Sequence, residues 1–394
     1  MRVRAISNDF KQFQTISNNF KQFQTNINFF CAFAPLREKI IRKNNVSGKK
    51  RSKVKTEKKS HDIKSNFKNF FKPGKKSSSK TNPFRAMVLK EAGDHIRSWR
   101  VIILIGIIAL TCTASLYTAL SGMAEAAKPG GSDDAFFFLK LFTLSDGTLP
   151  AYFVFIGFLG PLLGISLGFD AVNSEQSRGT LSRLLAQPIP RDYVINSKFI
   201  AALLVIAVLF YALSFLVIGA GLIALGIPPT PEEFWRIMFF TLLSIIYVAL
   251  WLNLSVYFSV RFKQPATSAL AGIAVWLFFT VFYPLIVNMV TKAVAPSQYA
   301  PLRVLYLYEK FKFTIMQVMP NELFSQATST LLMPSVRNLG PLTMEQVQGA
   351  IPGPLPLGQS LLLVWPQVTG LIALTILCFI LAYITFMRRE IRSR

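Results

Sequence analysis

The residues of this chain whose types and spacing suggest a specific function lie in one polar stretch, from Asp170 to Lys198. Three leucines within it follow the i, i+3, i+4 spacing that places side chains on one face of a short helix: Leu181, Leu184 and Leu185. Charged residues surround that apolar face: Glu175, Arg178, Arg183, Arg191 and Asp192. Pro188 and Pro190 are expected to end the helix, because proline has no N–H and disfavours helical geometry in the residue before it. Such a helix can dock into a groove on a partner protein or lie on a lipid surface.

Residues for catalysis, metal binding or nucleotide binding are scarce. The only two histidines are His61 and His95, so neither a histidine metal site nor a Ser-His-Asp triad can be assembled. The three cysteines, Cys31, Cys112 and Cys378, lie far apart, and their spacing indicates neither a disulfide framework nor a zinc site. The GxxxxGK[ST] pattern of a phosphate-binding loop is also missing. We therefore predict that the chain is not an enzyme and has no catalytic, cofactor-binding or metal-binding residues of its own.

Apolar runs long enough to cross a membrane make up most of the remaining chain. Of its 394 residues, 52% are hydrophobic and only 16% are charged, and uncharged runs of about 20 residues match a hydrocarbon core about 30 Å thick. The sequence predicts an all-α polytopic membrane protein with six spans, at residues 101–120, 151–169, 199–226, 237–260, 266–290 and 361–386. No span carries Asp, Glu, Lys or Arg within these boundaries. This disfavours an ion-coupled carrier, which usually needs ionisable groups or broken helices inside the membrane.

The distribution of Lys and Arg predicts the orientation of the spans. These residues cluster before the first span, after the second and fourth spans and at the C-terminus, and with six spans all four regions fall on one side. We therefore expect a plasma-membrane protein with both termini and the 170–198 stretch in the cytoplasm. The connection 291–360 then faces outside, and its length and helical pattern are typical of a functional or lid-like loop. The apolar segment Phe136–Leu144 is too short to span and is expected to be re-entrant or interfacial.

An amphipathic helix is predicted before the first span, from Phe84 to Arg100. Its apolar residues recur at spacings of four, four and three: Val88, Ala92, Ile96 and Trp99. Trp99 stands where an interfacial aromatic residue belongs. The polar residues assigned to this helix are Lys90, Glu91, Arg97 and Arg100. We expect the helix to lie on the membrane surface, with lipid as its partner.

The first 86 residues differ from the rest of the chain in charge and composition. They contain 22 Lys and Arg against four Asp and Glu, and so carry +18 of the net charge of +24. Residues 6–15 and 16–25 form a tandem repeat that is too short for a solenoid, and residues 37–85 have too few aliphatic side chains to fold alone. The extension is interpreted as a disordered tail on anionic lipid, a nucleic-acid-binding segment, or translation from upstream of a start at Met87. We favour the last, expect no nucleic-acid partner, and assign residues 87–394 to the membrane domain.

The polar stretch resembles the cytoplasmic signature of type-2 ABC (ABC-2) transporter permeases. That signature has an acidic residue, a glutamate, Gly-Thr-Leu, a Leu-Leu pair, Pro-Ile, an arginine and a lysine that opens the next span. Here the matching residues are Asp170, Glu175, Gly179-Thr180-Leu181, Leu184-Leu185, Pro188-Ile189, Arg191 and Lys198. The segment LKEAGDHIRSWRVIIL is similar to the opening of the same family, and PNELFSQATSTLLMPSVRNLG is similar to the outer loop of its NosY-like branch. The resemblance extends from about Met87 to the C-terminus.

The resemblance implies a six-span permease with a type V exporter-like fold. It implies a homodimer or heterodimer that pairs with two copies of a cytoplasmic P-loop ATPase, and ATP and Mg²⁺ would bind in that partner. The helix around Glu175–Leu185 would be the coupling helix, seated in a groove of the ATPase. Its rim contacts would be Glu175, Arg178 and Arg183, its apolar anchor would be Leu181, Leu184 and Leu185, and Gly179 and Thr180 belong to the same motif. Gly179 is expected to mark a helix break or a close approach of backbones, since it has no Cβ.

We therefore predict the permease subunit of an ATP-driven exporter. The alternative is a non-transporting membrane sensor or scaffold that binds through the 291–360 connection and signals through the helix at 170–198. An ion-coupled secondary carrier is the less favoured third class.

Overall fold

The computed structural model describes residues 82–126, 136–145, 149–181, 186, 189–226, 228–297, 299–335 and 354–388. The predictions for the N-terminal extension before residue 82 and for Arg183, Leu184 and Leu185 therefore lie outside the described residues. The helices, in chain order, are α1 (Pro83–Arg97), α2 (Trp99–Ala126), α3 (Lys140–Thr143), α4 (Tyr152–Gly168), α5 (Asn173–Ser177), α6 (Arg191–Leu225), α7 (Pro231–Arg261), α8 (Pro265–Leu277), a π-helix (Phe278–Phe282), α9 (Tyr283–Val294), α10 (Leu302–Met316), α11 (Pro320–Leu332) and α12 (Leu357–Met387). No strand occurs among these residues, which confirms the all-α prediction.

Six helical segments are long and apolar enough to cross a membrane, which confirms the number of predicted spans. They are Trp99–Met123, Tyr152–Ser177, Arg191–Leu225, Pro231–Arg261, Pro265–Val294 and Leu357–Met387. The third span begins eight residues before the predicted boundary, and the fourth begins six residues before it. At the fourth span, Pro231 favours the first helical turn and Thr230 forms a capping box with Glu233, so the helix starts on polar residues. The spans therefore include charged residues that were assigned to connections.

Helix α7 is the centre of the bundle. In the most apolar stretch of α7, 72% of the residues are buried within the chain, whereas the fraction is 17% in the fifth and sixth spans. Helix α4 approaches it through glycines four residues apart, which share one helix face: Gly160, Gly164 and Gly168. A Cβ on Gly164 would lie 2.7 Å from the carbonyl oxygen of Val248 in α7. The two backbones can therefore lie this close only because these positions lack a side chain.

The chain folds back into the bundle after the fifth span. Helix α10 runs antiparallel to α9, since the Tyr308 hydroxyl donates to the Thr291 carbonyl at 3.0 Å and the Tyr283 hydroxyl donates to the Ile315 carbonyl at 3.0 Å. Helix α11 then begins deep in the bundle, where the Asn321 side-chain oxygen accepts from the hydroxyl of Tyr247, halfway along α7. It packs against α7 and α12.

Part of the predicted connection 291–360 therefore packs into the bundle, and its position on the outer side stays a prediction. Residues 291–294 complete the fifth span, and α11 is largely buried in the bundle. Glu322 follows Asn321 in the first turn of α11 and is half-buried, so this helix brings a carboxylate to the bundle that the span boundaries did not include. The segment Phe136–Leu144 does not span, as predicted, but its central residues belong to the core rather than to an interface: Phe138, Leu139, Leu141 and Phe142.

A buried arginine, Arg236, connects three helices at the end of the bundle where α7 begins. We call this end the Arg236 end. The Arg236 guanidinium is fully buried and donates to the carbonyl oxygens of Leu331 at 3.0 Å and Leu355 at 2.6 Å. It also donates to Ser360 Oγ at 3.2 Å and pairs with Glu232 at 2.9 Å. Its donors are thus used to hold α7, the end of α11 and the start of α12 together.

Candidate functional site

The predicted docking stretch and the predicted interfacial helix meet at the opposite end of the bundle, around Lys198. Its ammonium group donates to Glu91 Oε2 of α1 at 3.0 Å and to Glu175 Oε1 of α5 at 2.7 Å. Lys198 itself belongs to α6 and is only 5% exposed. One buried cation therefore joins three helices, and α1 is far from the other two in sequence. We call this region the Lys198 end.

A second ion pair connects the neighbouring helices. The Arg100 guanidinium, in the first turn of α2, donates to Asp170 Oδ2 at 2.5 Å. The same guanidinium lies 4.7 Å from the centre of the Phe169 ring, within the range of a cation–π contact. The start of the first span is thus tied to the end of α4.

The short helix α5 is capped from α7. The hydroxyl oxygen of Ser259 accepts the backbone N–H of Val172 at 2.9 Å and of Asn173 at 3.2 Å. Helix α5 has no side-chain cap of its own, so Ser259 satisfies donors that a helix start leaves without partners. Ser259 is fully buried, and nothing in its sequence context indicated this role.

The helix predicted around Glu175–Leu185 is interrupted within its described residues. Helix α5 ends at Ser177, and Gly179 has φ of +67°, in the left-handed region that favours glycine. Its N–H donates to the Gln176 carbonyl at 3.1 Å, and a Cβ at Gly179 would have no neighbour within 4 Å. The expectation of a helix break at Gly179 is confirmed, and the position shows no close backbone approach.

The described residues of the predicted coupling motif fall into two groups. Arg178, Gly179 and Thr180 are exposed in the turn. Glu175 binds Lys198, and Leu181 is 2% exposed and belongs to the core. The turn therefore offers Arg178 and Thr180 to a partner, whereas Glu175 and Leu181 hold it to its own chain. Their part in docking stays a prediction.

The predicted interfacial helix exists as α1, but it ends at Arg97 and not at Arg100, because Ser98 has extended geometry and Trp99 and Arg100 already belong to α2. Two of the four predicted apolar residues, Val88 and Ala92, pack against Ala201 and Val205 of α6. The other two, Ile96 and Trp99, are exposed, as are the cationic residues Lys90, Arg97 and Arg100. Glu91 points to Lys198 instead of to solvent. Helix α1 thus has a protein contact that the sequence pattern did not reveal, and its position on lipid stays a prediction.

A polar cleft of about 540 Å³ lies between these helices. Charged residues of both signs line it, and most are paired with one another: Lys90, Glu91, Asp94, Arg100, Asp170, Glu175, Arg178 and Lys198. Burial lowers the pKa of His95 in its wall below the usual 6.5, and this outweighs the nearby Glu91 carboxylate, which raises it. In the part of the chain that the structure describes, no group of three or more His, Cys, Asp or Glu is placed to hold a metal ion. The ion pairs of the cleft connect α1, α5 and α6 with one another, and the start of α2 with the end of α4.

Comparison with known proteins shows to which family the chain belongs. Residues 85–391 match the family model described as "ABC-2 family transporter protein", so the match contains all six spans. The chain belongs to the ABC-2 transporter family. The sequence-based recognition of this family is thereby confirmed.

Two relatives of this ABC-2 permease carry the same name, "Probable ABC transporter permease protein NosY". The protein from Stutzerimonas stutzeri is 26% identical over 204 residues, and the one from Pseudomonas aeruginosa is 28% identical over 203 residues. Each alignment covers 50% of this chain and 66% of the relative. The chain thus spans just under two thirds of the length of these relatives, and the likeness supports the NosY-like branch.

Proposed function

We propose that this permease is the membrane part of an ATP-driven exporter, and that a separate cytoplasmic ATPase moves it through the exposed turn at residues 177–180, the coupling turn. The observation that supports this is the attachment of that turn. It protrudes from the bundle, but its flanks are bound to α6 through Lys198 and to α7 through Ser259. A partner that displaces the turn therefore displaces the ends of two spanning helices.

The residues of the turn have separate roles in this proposal. Arg178 and Thr180 are exposed and make the polar contacts that set register and partner choice. Leu184 and Leu185 supply the apolar anchor in the ATPase groove, the usual binding mode of an amphipathic helix. Glu175 and Leu181 hold the turn in position through contacts within the chain, Glu175 with Lys198 and Leu181 with the hydrophobic core. ATP and Mg²⁺ bind in the partner and not in this chain.

We place the Lys198 end in the cytoplasm. The exposed cations of α1 and of the coupling turn lie there, including Lys90, Arg97 and Arg178, and cytoplasmic segments of membrane proteins carry an excess of Lys and Arg. This assigns the Arg236 end to the outside and both termini to the cytoplasm of the cell. In the assembly, two permease subunits, alike or different, bind two ATPases.

A small apolar cleft is the candidate contact site for cargo. It has a volume of about 190 Å³ and lies between α4, the π-helix of the fifth span and α11. No charged residue lines it: Phe153, Val154, Gly157, Phe158, Thr280, Asn321, Phe324 and Ser325. Short π-helical segments inside α-helices frequently mark functional sites. The lining suits an apolar group, with Thr280 and Asn321 as the polar groups that orient it.

The experiment that tests the proposal is a purification of the tagged full-length chain from its native membranes in mild detergent, with mass spectrometry of the bound proteins. A stoichiometric P-loop ATPase supports the exporter. A co-purified kinase or regulator without an ATPase contradicts it and supports the sensor or scaffold.

An ion-coupled carrier is a further candidate, because α11 carries the half-buried ionisable group of Glu322 next to Asn321, which contacts Tyr247 halfway along α7. Carriers of this class use such groups to bind the coupling ion. The purified chain in liposomes separates the two. The exporter predicts that an imposed pH gradient drives no proton uptake, and that Glu322→Gln behaves like the native chain. Proton uptake that Glu322→Gln abolishes supports the carrier instead.

A further inference from the structure

Helix α10 is a surface helix whose outward side is left uncovered by the described chain. The structure describes all of its residues, and none of them is buried. Its main packing partner is α9. Large apolar side chains on it stay open, among them Leu307 at 54% and Phe311 at 44% exposed. Something other than the described part of the chain must therefore cover this helix.

A stripe of two cations with an apolar residue between them runs along the open side of α10. Arg303, Leu307, Lys310 and Thr314 follow one another at spacings of four, three and four, so they share one helix face. All four are exposed. The ion pairs that the structure describes lie at the Lys198 end and at the Arg236 end, so neither cation of the stripe takes part in one. We call these four residues the α10 stripe.

The α10 stripe lies where the hydrocarbon core meets the headgroups. Helix α7 runs from the Arg236 end to the Lys198 end, so the fifth span, which follows it, returns to the Arg236 end. This span has 30 residues. A helix of that length measures about 45 Å against a core of about 30 Å, so about five residues project at each end. Thr291 is among the last of them, and its carbonyl accepts the Tyr308 hydroxyl at 3.0 Å. The middle of α10 is therefore level with the lipid headgroups.

We propose that the α10 stripe is a binding site for an anionic phospholipid. Arg303 and Lys310 contact its phosphate group, and Leu307 and Phe311 contact the first part of an acyl chain. A guanidinium donates to phosphate oxygens in a fork geometry, and the long lysine side chain reaches the headgroups from slightly deeper in the membrane. The proposal goes beyond ATP-driven export and does not depend on it.

The composition of the stripe favours lipid over other occupants. A lipid supplies an anion and an apolar chain side by side, as the stripe presents cations and apolar side chains. A second copy that packed stripe against stripe would bring the cations of both copies together, because Glu309, the single carboxylate of α10, lies outside the stripe. A soluble acidic partner would have to reach below the headgroups to cover Phe311, since α10 runs inward from Tyr308 toward Ile315.

The test compares two labelled lipids at one position of the stripe. A bimane fluorophore is attached at Leu307→Cys in the full chain, whose native cysteines are replaced by alanine, and the protein is reconstituted in phosphatidylcholine vesicles. A small fraction of phosphatidylglycerol, or of phosphatidylcholine, carries a nitroxide close to the headgroup on one acyl chain, and this nitroxide quenches bimane on contact. The measured quantity is the ratio of quenching by the anionic lipid to quenching by the zwitterionic lipid.

We expect a ratio of about five or more in the native chain, since each basic residue near a membrane surface favours an anionic lipid by about this factor. Arg303→Gln with Lys310→Gln should lower the ratio to about one, whereas Arg303→Lys with Lys310→Arg should keep it. Lys292→Gln is the matched control and should also keep it, because this exposed lysine of α9 follows Thr291 at the same level but lies outside the stripe. Bimane at Ile223→Cys, an exposed position near the end of α6, should give a ratio of about one in the native chain.

Each contrary result overturns the proposal in a recognisable way. No preference for the anionic lipid in the native chain overturns it, as does a neutral double variant that keeps the native ratio. Strong quenching by aqueous iodide, with little by either lipid, overturns it in favour of a soluble partner. Protection from iodide and from both lipids overturns it in favour of a second copy. A native chain that shows the lipid preference but retains no ATPase contradicts the proposed function and leaves this proposal standing.

Discussion

Replacing Gly164 with alanine tests the close contact between α4 and α7. The added Cβ would lie 2.7 Å from the Val248 carbonyl oxygen, 2.9 Å from the Leu252 nitrogen and 3.2 Å from Trp251 Cβ. Two of these three atoms belong to the backbone of the central helix, so no side-chain rotation relieves the contact. The two helices must separate, or the backbone of one must bend.

The magnitude follows from two opposing contributions. Overpacking a well-packed core by one methyl group costs about 1–3 kcal/mol, and backbone neighbours place this site near the upper value. Alanine in a helix interior is favoured over glycine by about 1 kcal/mol. We therefore expect Gly164→Ala to lower the free energy of unfolding by about 1–2 kcal/mol.

Gly106→Ala is the matched control. Gly106 lies in the first span, and an added Cβ there would meet nothing within 4 Å. Only the helix preference remains at that position, so this variant should be neutral or more stable by up to about 1 kcal/mol. The measurement is unfolding in mixed detergent micelles by titration with sodium dodecyl sulfate. Equal shifts for the two variants would refute the close contact between α4 and α7.

Three further perturbations test other parts of the structure. Arg236→Met leaves two carbonyl oxygens and Glu232 without their donor and should cost about 3–5 kcal/mol in the same titration, whereas exposed Arg303→Met should change little. Ser259→Ala removes the acceptor of two N–H groups of α5; it should cost about 1–3 kcal/mol, and a loss no larger than that of Ser329→Ala, an exposed hydroxyl that returns to its own helix, would refute the cap. The pKa of His95 is lowered below 6.5, so as the pH falls below 6.5 the unfolded chain takes up the proton first and the melting temperature should fall. His95→Gln should reduce that dependence, and an unaltered pH profile would contradict it.

The spans were predictable because their signal is carried by composition over about 20 residues. The ends of the spans were less predictable, because a boundary drawn from hydropathy ends the span at the first charged residue. The third span starts at Arg191 and contains Lys198, because carboxylates from α1 and α5 pair with that lysine inside the structure. Sequence periodicity describes one helix at a time and cannot show a partner more than 100 residues away.

The motif at Glu175–Leu185 predicted an exposed helix with one apolar face, and the structure differs from this in two described residues. The spacing of its leucines indicated one apolar face, yet Leu181 is buried in its own chain and Gly179 interrupts the helix. The left-handed glycine is a local signal that sequence reasoning could read. The burial of Leu181 and the cap from Ser259 depend on tertiary packing, which overrides helical periodicity over so short a segment.

The sequence also did not predict that α10 and α11 fold back into the bundle. Their helical pattern was visible, but a connection between spans is by default placed outside the membrane. The hydrogen bonds of Asn321 to Tyr247 and Thr280 pull the start of α11 to the middle of the bundle. Both partners, Tyr247 and Thr280, are uncharged and lie within apolar segments, so nothing in the sequence marks them as hydrogen-bond partners of Asn321.

The most direct test of the proposed coupling is whether ATPase binding depends on the coupling turn. Affinity-tagged chains carrying Leu184→Asp with Leu185→Asp, or Arg178→Glu, are purified from native membranes beside the native chain and Arg303→Glu, the same charge change on exposed α10. The native chain and Arg303→Glu should retain a stoichiometric P-loop ATPase. The double aspartate variant should lose it and Arg178→Glu should weaken it, while all chains insert in the membrane equally. Full retention of the ATPase by the double aspartate variant would contradict the coupling assignment.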